Sequence, residues 1–148
     1  MIKLIEITDD IFDECIGLEM TDEQKRFCAS NIYSLAQAWL HSSTARPFAV
    51  YSDDIMVGFV MLEYDEPEKE CGIWRFMIDK KHQNKGYGKE AMRAVLDYIK
   101  SNPVFDVIHL SVVPENYIAV KLYEDFDFKN TGEMDDDEMI MVLELKKY

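Results

Sequence analysis

The chain is poor in the residues that build stapled, membrane-bound or nucleic-acid-binding proteins. Its 148 residues include three cysteines, four prolines and six glycines. Cys15, Cys28 and Cys71 are odd in number, widely spaced and without metal-ligand neighbours. That excludes a disulfide framework, implies no metal, and predicts free buried thiols. No Pro/Gly/Ser-rich stretch marks a linker and no segment repeats. No apolar run approaches a membrane span, and Met1 to Glu6 lacks the charged head and long apolar core of a secretory signal. A soluble, cytoplasmic protein is expected. Basic residues are scarce too: 16 Lys and Arg against 29 Asp and Glu leave a formal net charge of −13. This excludes nucleic acid and anionic membranes as partners, since both need a basic face. A cationic substrate is more natural.

What is present fits one domain, residues 1–148, large enough to bury roughly 70% of its unfolded surface. The acidic run Asp135-Asp136-Asp137-Glu138 reads as a solvated turn. Charge is segregated: Arg75 to Lys100 holds seven basic residues against three acidic, and Met1 to Glu23 eight acidic against one basic. Positive potential therefore gathers in the middle of the chain, and the acidic ends suit attraction of an amine.

The densest information lies in Gln83-Asn84-Lys85-Gly86-Tyr87-Gly88. An apolar strand-like segment, Ile73 to Ile78, precedes it. A helical pattern follows, with Met92, Val95, Leu96 and Ile99 at i, i+3, i+4 and i+7. Strand, glycine turn and helix start thus follow directly. Glycines there allow positive φ and close backbone approach, while the helix start aims unpaired N–H groups and partial positive charge at one point. Such a junction binds phosphate. Gly86-Tyr87-Gly88-Lys89-Glu90-Ala91 nominally fits G-x-G-x-x-[GA], but the acidic residue that should hold a ribose belongs at the far end of the next strand, and Asp106 stands at its start. The nucleoside-triphosphate loop fails: Gln83 stands where its first glycine belongs and Glu90 follows Gly88-Lys89.

Gln83-x-x-Gly86-x-Gly88 resembles the pyrophosphate loop [RQ]-x-x-G-x-[GA] of the GNAT acetyltransferase superfamily. Leu110 to Phe128, with Asn116, Ala119, Leu122 and Tyr123 in place, is similar to that family's L-x-V-x-x-x-N-x-x-A-x-x-L-Y-x-x-x-G-F. The resemblance extends from about Ile55 to the C-terminus. Val57 to Val60 and Ile73 to Asp79 are similar to bacterial spermine/spermidine (diamine) acetyltransferases. The implied fold is α/β (α+β), the GNAT acyl-CoA N-acyltransferase fold. It has a mixed, mostly antiparallel sheet of about seven strands, a splayed central pair and about four flanking helices.

The chain itself reads as strands at Ile2–Ile7, Pro47–Tyr51, Ile55–Glu63, Cys71–Ile78, Val107–Val113, Phe126–Thr131 and Met139–Leu145. Helices are expected from an Asp9 cap to about Leu18, from a Thr21-x-x-Gln24 capping box through Phe27, Ile32, Leu35 and Trp39, from Gly88 to Lys100, and from Asn116 to Asp125.

The resemblance implies an acetyl-CoA-dependent N-acetyltransferase acting on a primary amine in a ternary complex. The leading acceptor is a polyamine, spermine or spermidine. Another small amine or a peptide amine, or a non-catalytic CoA-binding sensor, remains as an alternative, and a homodimer is left open. By the same resemblance, backbone at Met77 and Ile78 pairs with the pantetheine arm of CoA. Gln83, Asn84, Lys85, Gly86, Tyr87, Gly88 and Lys89 hold the pyrophosphate, Asn116 bonds near the thioester, and Tyr123 protonates the departing thiolate.

An amine arrives protonated, with a pKa of about 10, so a proton acceptor is needed. The family's two usual carboxylate positions align with Ser111 and Trp74, neither of them acidic. Glu63, His109 or a water chain to a more distant carboxylate remain. His41 and His82 read as surface residues, Trp74, Phe76, Phe48 and Tyr51 as candidate walls of an acceptor pocket, and Arg75 as a partner for a carboxylate. Asp127 replaces the motif glycine after the last helix, where a left-handed residue is expected at a modest cost in stability.

Overall fold

In the computed structural model, which describes residues 1–145, the alternating segments become the strands of one sheet. Residues 146–148, the end of the expected domain, lie outside the described residues. In chain order the elements are β1 (Ile2–Glu6), α1 (Asp9–Gly17), α2 (Asn31–Leu40), β2 (Ala45–Ser52), β3 (Ile55–Asp65), β4 (Glu70–Ile78) and α3 (Tyr87–Lys100). There follow β5 (Val107–Val112), α4 (Tyr117–Asp125), β6 (Lys129–Asp135) and β7 (Glu138–Glu144). The strand order is β1-β2-β3-β4-β5-β7-β6, antiparallel throughout except for β4 with β5. No helix among the described residues is long and apolar enough to cross a membrane.

Each face of the sheet carries its own core. On one face α3 buries Ala91, Met92, Val95, Leu96 and Ile99 in a cluster with Val60, Leu62 and Ile108. Full burial of the methionine, valine, leucine and isoleucine side chains contributes roughly 1.5–3 kcal/mol each. On the other face Cys15 of α1 and Ala38 of α2 share a cluster with Ala49, Phe59, Met61 and Met77.

The central strands part where the site forms. β4 and β5 pair over only three rungs, Glu70↔Val107, Cys71↔Ile108 and Gly72↔His109. Just beyond, the β3–β4 register slips: Met61 faces Arg75 and Leu62 faces Ile73, so Trp74 is an unpaired bulge residue. A bulge bends its strand and increases local twist. Here it turns the second half of β4 away from β5.

Four expectations need correction. The Thr21–Gln24 capping box forms, with reciprocal bonds of 3.2 and 3.3 Å, but it opens only the 3-10 turn Gln24–Arg26. The second α-helix starts afresh at Asn31, where Ser30 Oγ accepts from the Tyr33 amide at 3.2 Å. Its phase differs from the one expected, so Ile32 and Trp39 face solvent at 56% and 80% exposure. In α1 the cap is Thr8, and Asp9 is the first helical residue. Phe126 caps α4, and β6 runs through Asp135 to a tight turn at Asp136-Asp137, so Glu138 belongs to β7 rather than to a solvated turn.

Asp127 does stand in the left-handed region, at φ 71. The Phe128 amide donates to Tyr123 O at 3.1 Å and the Asp127 amide to Glu124 O at 3.0 Å. This closes α4 with the bond pattern usually completed by glycine.

Candidate active site

The parting of β4 from β5 leaves two cavities that meet at α4. The first, of about 220 Å³, is walled by the end of β4 (Phe76, Met77, Ile78), the loop after it (His82, Gln83, Asn84), the start of α3 (Tyr87, Gly88) and α4. The second, of about 460 Å³, is walled by the 25–29 segment, by Ile73, Trp74, Arg75 and Phe76, and by Ser111 to Val113 and Glu138. Cys28, Phe76, Asn116, Ala119 and Tyr123 belong to both.

The first cavity ends on a free helix N-terminus. Asn84 (φ 62) and Gly86 (φ 87) are left-handed, and Gly86 caps α3 without any side-chain bond to the first amides. A 14-residue helix therefore points unpartnered N–H groups and its positive dipole end at the cavity. A Cβ built on Gly88 meets nothing within 4 Å, so this glycine keeps the wall open. Lys85, Gly86 and Lys89 are exposed outside the wall, and Lys89 pairs with Asp125 at 3.8 Å. The Gln83 side chain is already engaged: Nε2 donates to Ile78 O at 2.9 Å and to Gln24 Oε1 at 2.8 Å. It braces the loop and leaves its backbone to the cavity. Buried Asp79 reinforces this, accepting from the Glu19 and Lys81 amides at 2.8 and 3.2 Å.

Hydrogen-bond alternation sorts the backbone of β4. The Asp79 amide donates to Val57 O, and Phe59 is the partner of Met77, so Met77 and Asp79 face β3. The amide groups of Phe76 and Ile78 then turn toward the open edge. Ile78 is thus the one of the two expected backbone residues whose polar groups face that edge, although its carbonyl is held by Gln83.

Tyr123 lies at the junction, 9% exposed. Its ring packs edge-on to Phe128 at 6.0 Å, and its hydroxyl has no hydrogen-bond partner among the described residues. Burial, then the nearby Cys28 and Glu138, push its pKa well above the ordinary phenol value, so the proton stays on oxygen. Asn116 is the residue before α4, yet its side chain forms no cap bond and remains available to both cavities.

Other expectations separate here. Trp74 and Phe76 wall the second cavity, whereas Phe48 is buried against Tyr98 and Tyr51 packs in the core beside α1 and α2. Glu63 and His109 wall neither cavity. Glu63 faces Gly72 across the sheet, and His109 covers Gly72 with Nε2 3.9 Å from Glu70, below the point where the strands part. His82 is half-buried in the first cavity, and the exposed His41 meets Trp74 edge-on at 5.6 Å.

Arg75 bonds to Gln37 Oε1 at 2.7 Å and to Trp74 O at 3.0 Å rather than to a carboxylate, and its buried Nε is unpartnered. Cys15 and Cys71 are buried, but Cys28 stands in both cavity walls. Neither Cys28, expected as a buried thiol, nor Glu138, expected in a solvated acidic turn, is marked in the sequence as a cavity residue.

A parted central strand pair, with an uncapped helix start on one side and a second cavity reached past a tyrosine, is the arrangement that the resemblance in the sequence leads one to expect. A model of the acetyltransferase (GNAT) family matches residues 5–128, and the chain belongs to this family. It is an acetyltransferase with acetyl-CoA as acetyl donor. The spermine/spermidine N(1)-acetyltransferase of Bacillus subtilis (strain 168) is 32% identical to it, over 97% of this chain and 99% of its own. The spermidine N-acetyltransferase from Vibrio cholerae, solved in complex with CoA and spermine, has the same fold. Its TM-score is 0.78 at 20% identity, covering 97% of this chain and 95% of that one. An aminoglycoside acetyltransferase in complex with coenzyme A reaches 0.80 at 15% identity with the same coverage. Overall shape is therefore shared between acceptor classes.

Proposed function

We propose that the protein acetylates a primary amine of a polyamine, spermine or spermidine, by direct attack on acetyl-CoA in a ternary complex. The observation that carries the chemistry is the meeting of the two cavities at Tyr123 and Asn116. Acetyl donor and acceptor can then approach the same two side chains from opposite sides, which converts a bimolecular encounter into a positioned one. The acceptor class rests on the Bacillus subtilis relative, matched over nearly its whole length.

In this reading the loop from Gln83 to Gly88 holds the pyrophosphate by backbone N–H groups at the α3 start, with Lys85 and Lys89 adding charge from outside. Backbone N–H groups on the open edge of β4, at Phe76 and Ile78, stabilise charge developing on the thioester oxygen. Asn116 orients the acyl arm. Tyr123, which keeps its proton, donates it to sulfur as the C–S bond breaks. A free thiol has a pKa of about 8.5, below that of a phenol, so the donation gains its driving force only as the amine loses its own protons. The setting proposed is the cytoplasm, where three free thiols stay reduced. A homodimer would cover the apolar residues that α2 exposes, Ile32, Tyr33, Trp39 and Leu40.

One observation favours a second acceptor class. Among the described residues the second cavity is walled by Lys25, Arg26 and Arg75 against the single carboxylate Glu138, and the acidic residues of α1 are not in its wall. Three cations suit an amine that also carries a carboxylate, such as an amino acid or a peptide N-terminus. Mass spectrometry of a mixed amine pool incubated with acetyl-CoA separates the two. Acetyl groups on spermine and spermidine support the proposal, and acetyl groups confined to a peptide α-amine favour the alternative.

A further inference from the structure

The two positions where the family resemblance leads one to expect a carboxylate hold Trp74 and Ser111. Both stand in the wall of the second cavity, which leaves that wall's other side chains to be searched for a proton acceptor. β7 supplies a candidate. Its register on β5 pairs Ile140 with Ser111 and Met139 with Val112, which carries Glu138 one step further, opposite the point where β5 leads toward Asn116. Glu138 is half-buried and is the single carboxylate in that wall among the described residues. It shares that wall with Cys28 and Tyr123, two of the residues at which the cavities meet.

We propose that Glu138 is the proton acceptor of the acetyl transfer, taking the ammonium proton of the acceptor amine in the cavity it shares with Tyr123. The proposal rests on the amine-acetylation reading above. One proton passes from R–NH3⁺ to the Glu138 carboxylate, giving a neutral amine and a carboxylic acid. The amine lone pair forms a C–N bond at the thioester carbonyl, the C–S bond breaks, and sulfur leaves with its electron pair and takes the Tyr123 proton. The second nitrogen proton returns to the phenolate through water, and Glu138 discharges its proton to solvent. Amide, CoA thiol and one proton are the products.

The surroundings favour this role. Burial first, then Asp137 and its neighbours Asp135 and Asp136, raise the affinity of Glu138 for a proton, and Arg75 on β4 moderates the effect. Cys28 and Tyr123 face it from the 25–29 segment and from α4, and Lys25 and Arg26 share the cavity wall. A carboxyl held above its ordinary range is a stronger base for an ammonium than a solvated one.

The test is Glu138→Gln beside Glu138→Asp, with kcat followed against pH on the amine that the wild type turns over best. The expected result is a fall of about 100-fold or more in kcat for Glu138→Gln, in the range of general-base loss. The acidic limb of the wild-type profile should vanish with it, and Glu138→Asp should recover part of the rate. The Gln variant should melt no lower than wild type at neutral pH. A carboxyl whose folded pKa is raised loses stability as pH rises through that pKa, and the amide removes that loss. Independently of turnover, ¹³C NMR of the Glu138 carboxyl should titrate above about 4.3, the ordinary glutamate value. A Gln variant within twofold of wild type, or one that keeps the acidic limb, overturns the proposal alone. A wild type silent with every amine overturns the underlying reading and the proposal with it.

Discussion

Replacing Tyr123 by Phe isolates the step proposed for its hydroxyl, protonation of the departing sulfur. Phe keeps the ring and its edge contact with Phe128, and the lost hydroxyl leaves no unsatisfied partner behind, because none of the described residues bonds to it. Stability should therefore change by less than about 1 kcal/mol. The kinetic cost is different in kind. Removing a single donor aimed at developing negative charge costs about 10²–10³ in rate, or roughly 2.7–4 kcal/mol of transition-state stabilisation. Since the hydroxyl meets sulfur only as the thiolate forms, the loss should fall on kcat, with CoA affinity held within about twofold. CoA thiol release under saturating acetyl-CoA and amine measures the first. The rise in melting temperature with CoA measures the second. In the wild type, Tyr123 holds its proton beyond the ordinary phenol value of 10.0, so kcat should show no decline from phenol ionisation up to that pH. A variant within threefold of wild type in kcat, or one whose CoA affinity falls as far as its rate, would refute the acid role.

Gly88→Val puts a side chain where a Cβ now meets only open space in the wall of the first cavity. The melting temperature of the free protein should hold while CoA affinity drops by about tenfold or more, since each 1.4 kcal/mol is tenfold; unchanged CoA titrations would remove α3 from the phosphate site. Asp127→Gly relieves a left-handed L-residue at a cost of roughly 1 kcal/mol, partly offset by the entropy of an unfolded glycine. Its melting temperature should rise by up to about 3 °C, and a fall would mean that the Asp side chain contributes more than the strain costs. Cys28 should be the thiol that a maleimide reaches in the native protein, with Cys15 and Cys71 silent, and saturating CoA should slow that reaction. Equal labelling with and without CoA, followed by peptide mapping, would contradict the placement of Cys28 between the cavities.

The parts of this account that were legible in the sequence share one property: their pattern is local and periodic. Met92, Val95, Leu96 and Ile99 announce the buried face of α3, and Gly86 announces the turn that starts it. The second helix was harder because Thr21 and Gln24 do form a capping box, while Ser30 makes a better start nine residues later. The apolar residues used to phase that helix, Ile32 and Trp39, lie outward. The bulge at Trp74 is invisible in one strand alone, since it exists only in the register with β3. Glu138 was hidden for a similar reason. In sequence it is the last of four acids in a row, and only the pairing of β7 with β5 carries it into the second cavity while Asp136 and Asp137 make the turn. Arg75 and the cavity cations show the converse: segregation of charge along the chain did not predict charge within the second cavity.

The most direct test of the central claim is steady-state release of CoA thiol from acetyl-CoA with spermine, spermidine, putrescine, an aminoglycoside, lysine and an N-terminal peptide, each supplied singly. The account predicts strong turnover with spermine and spermidine and little with the rest. Thiol release confined to the peptide or lysine would contradict the polyamine assignment while keeping the enzyme class, and no release with any amine, although CoA binds and raises the melting temperature, would contradict the claim itself.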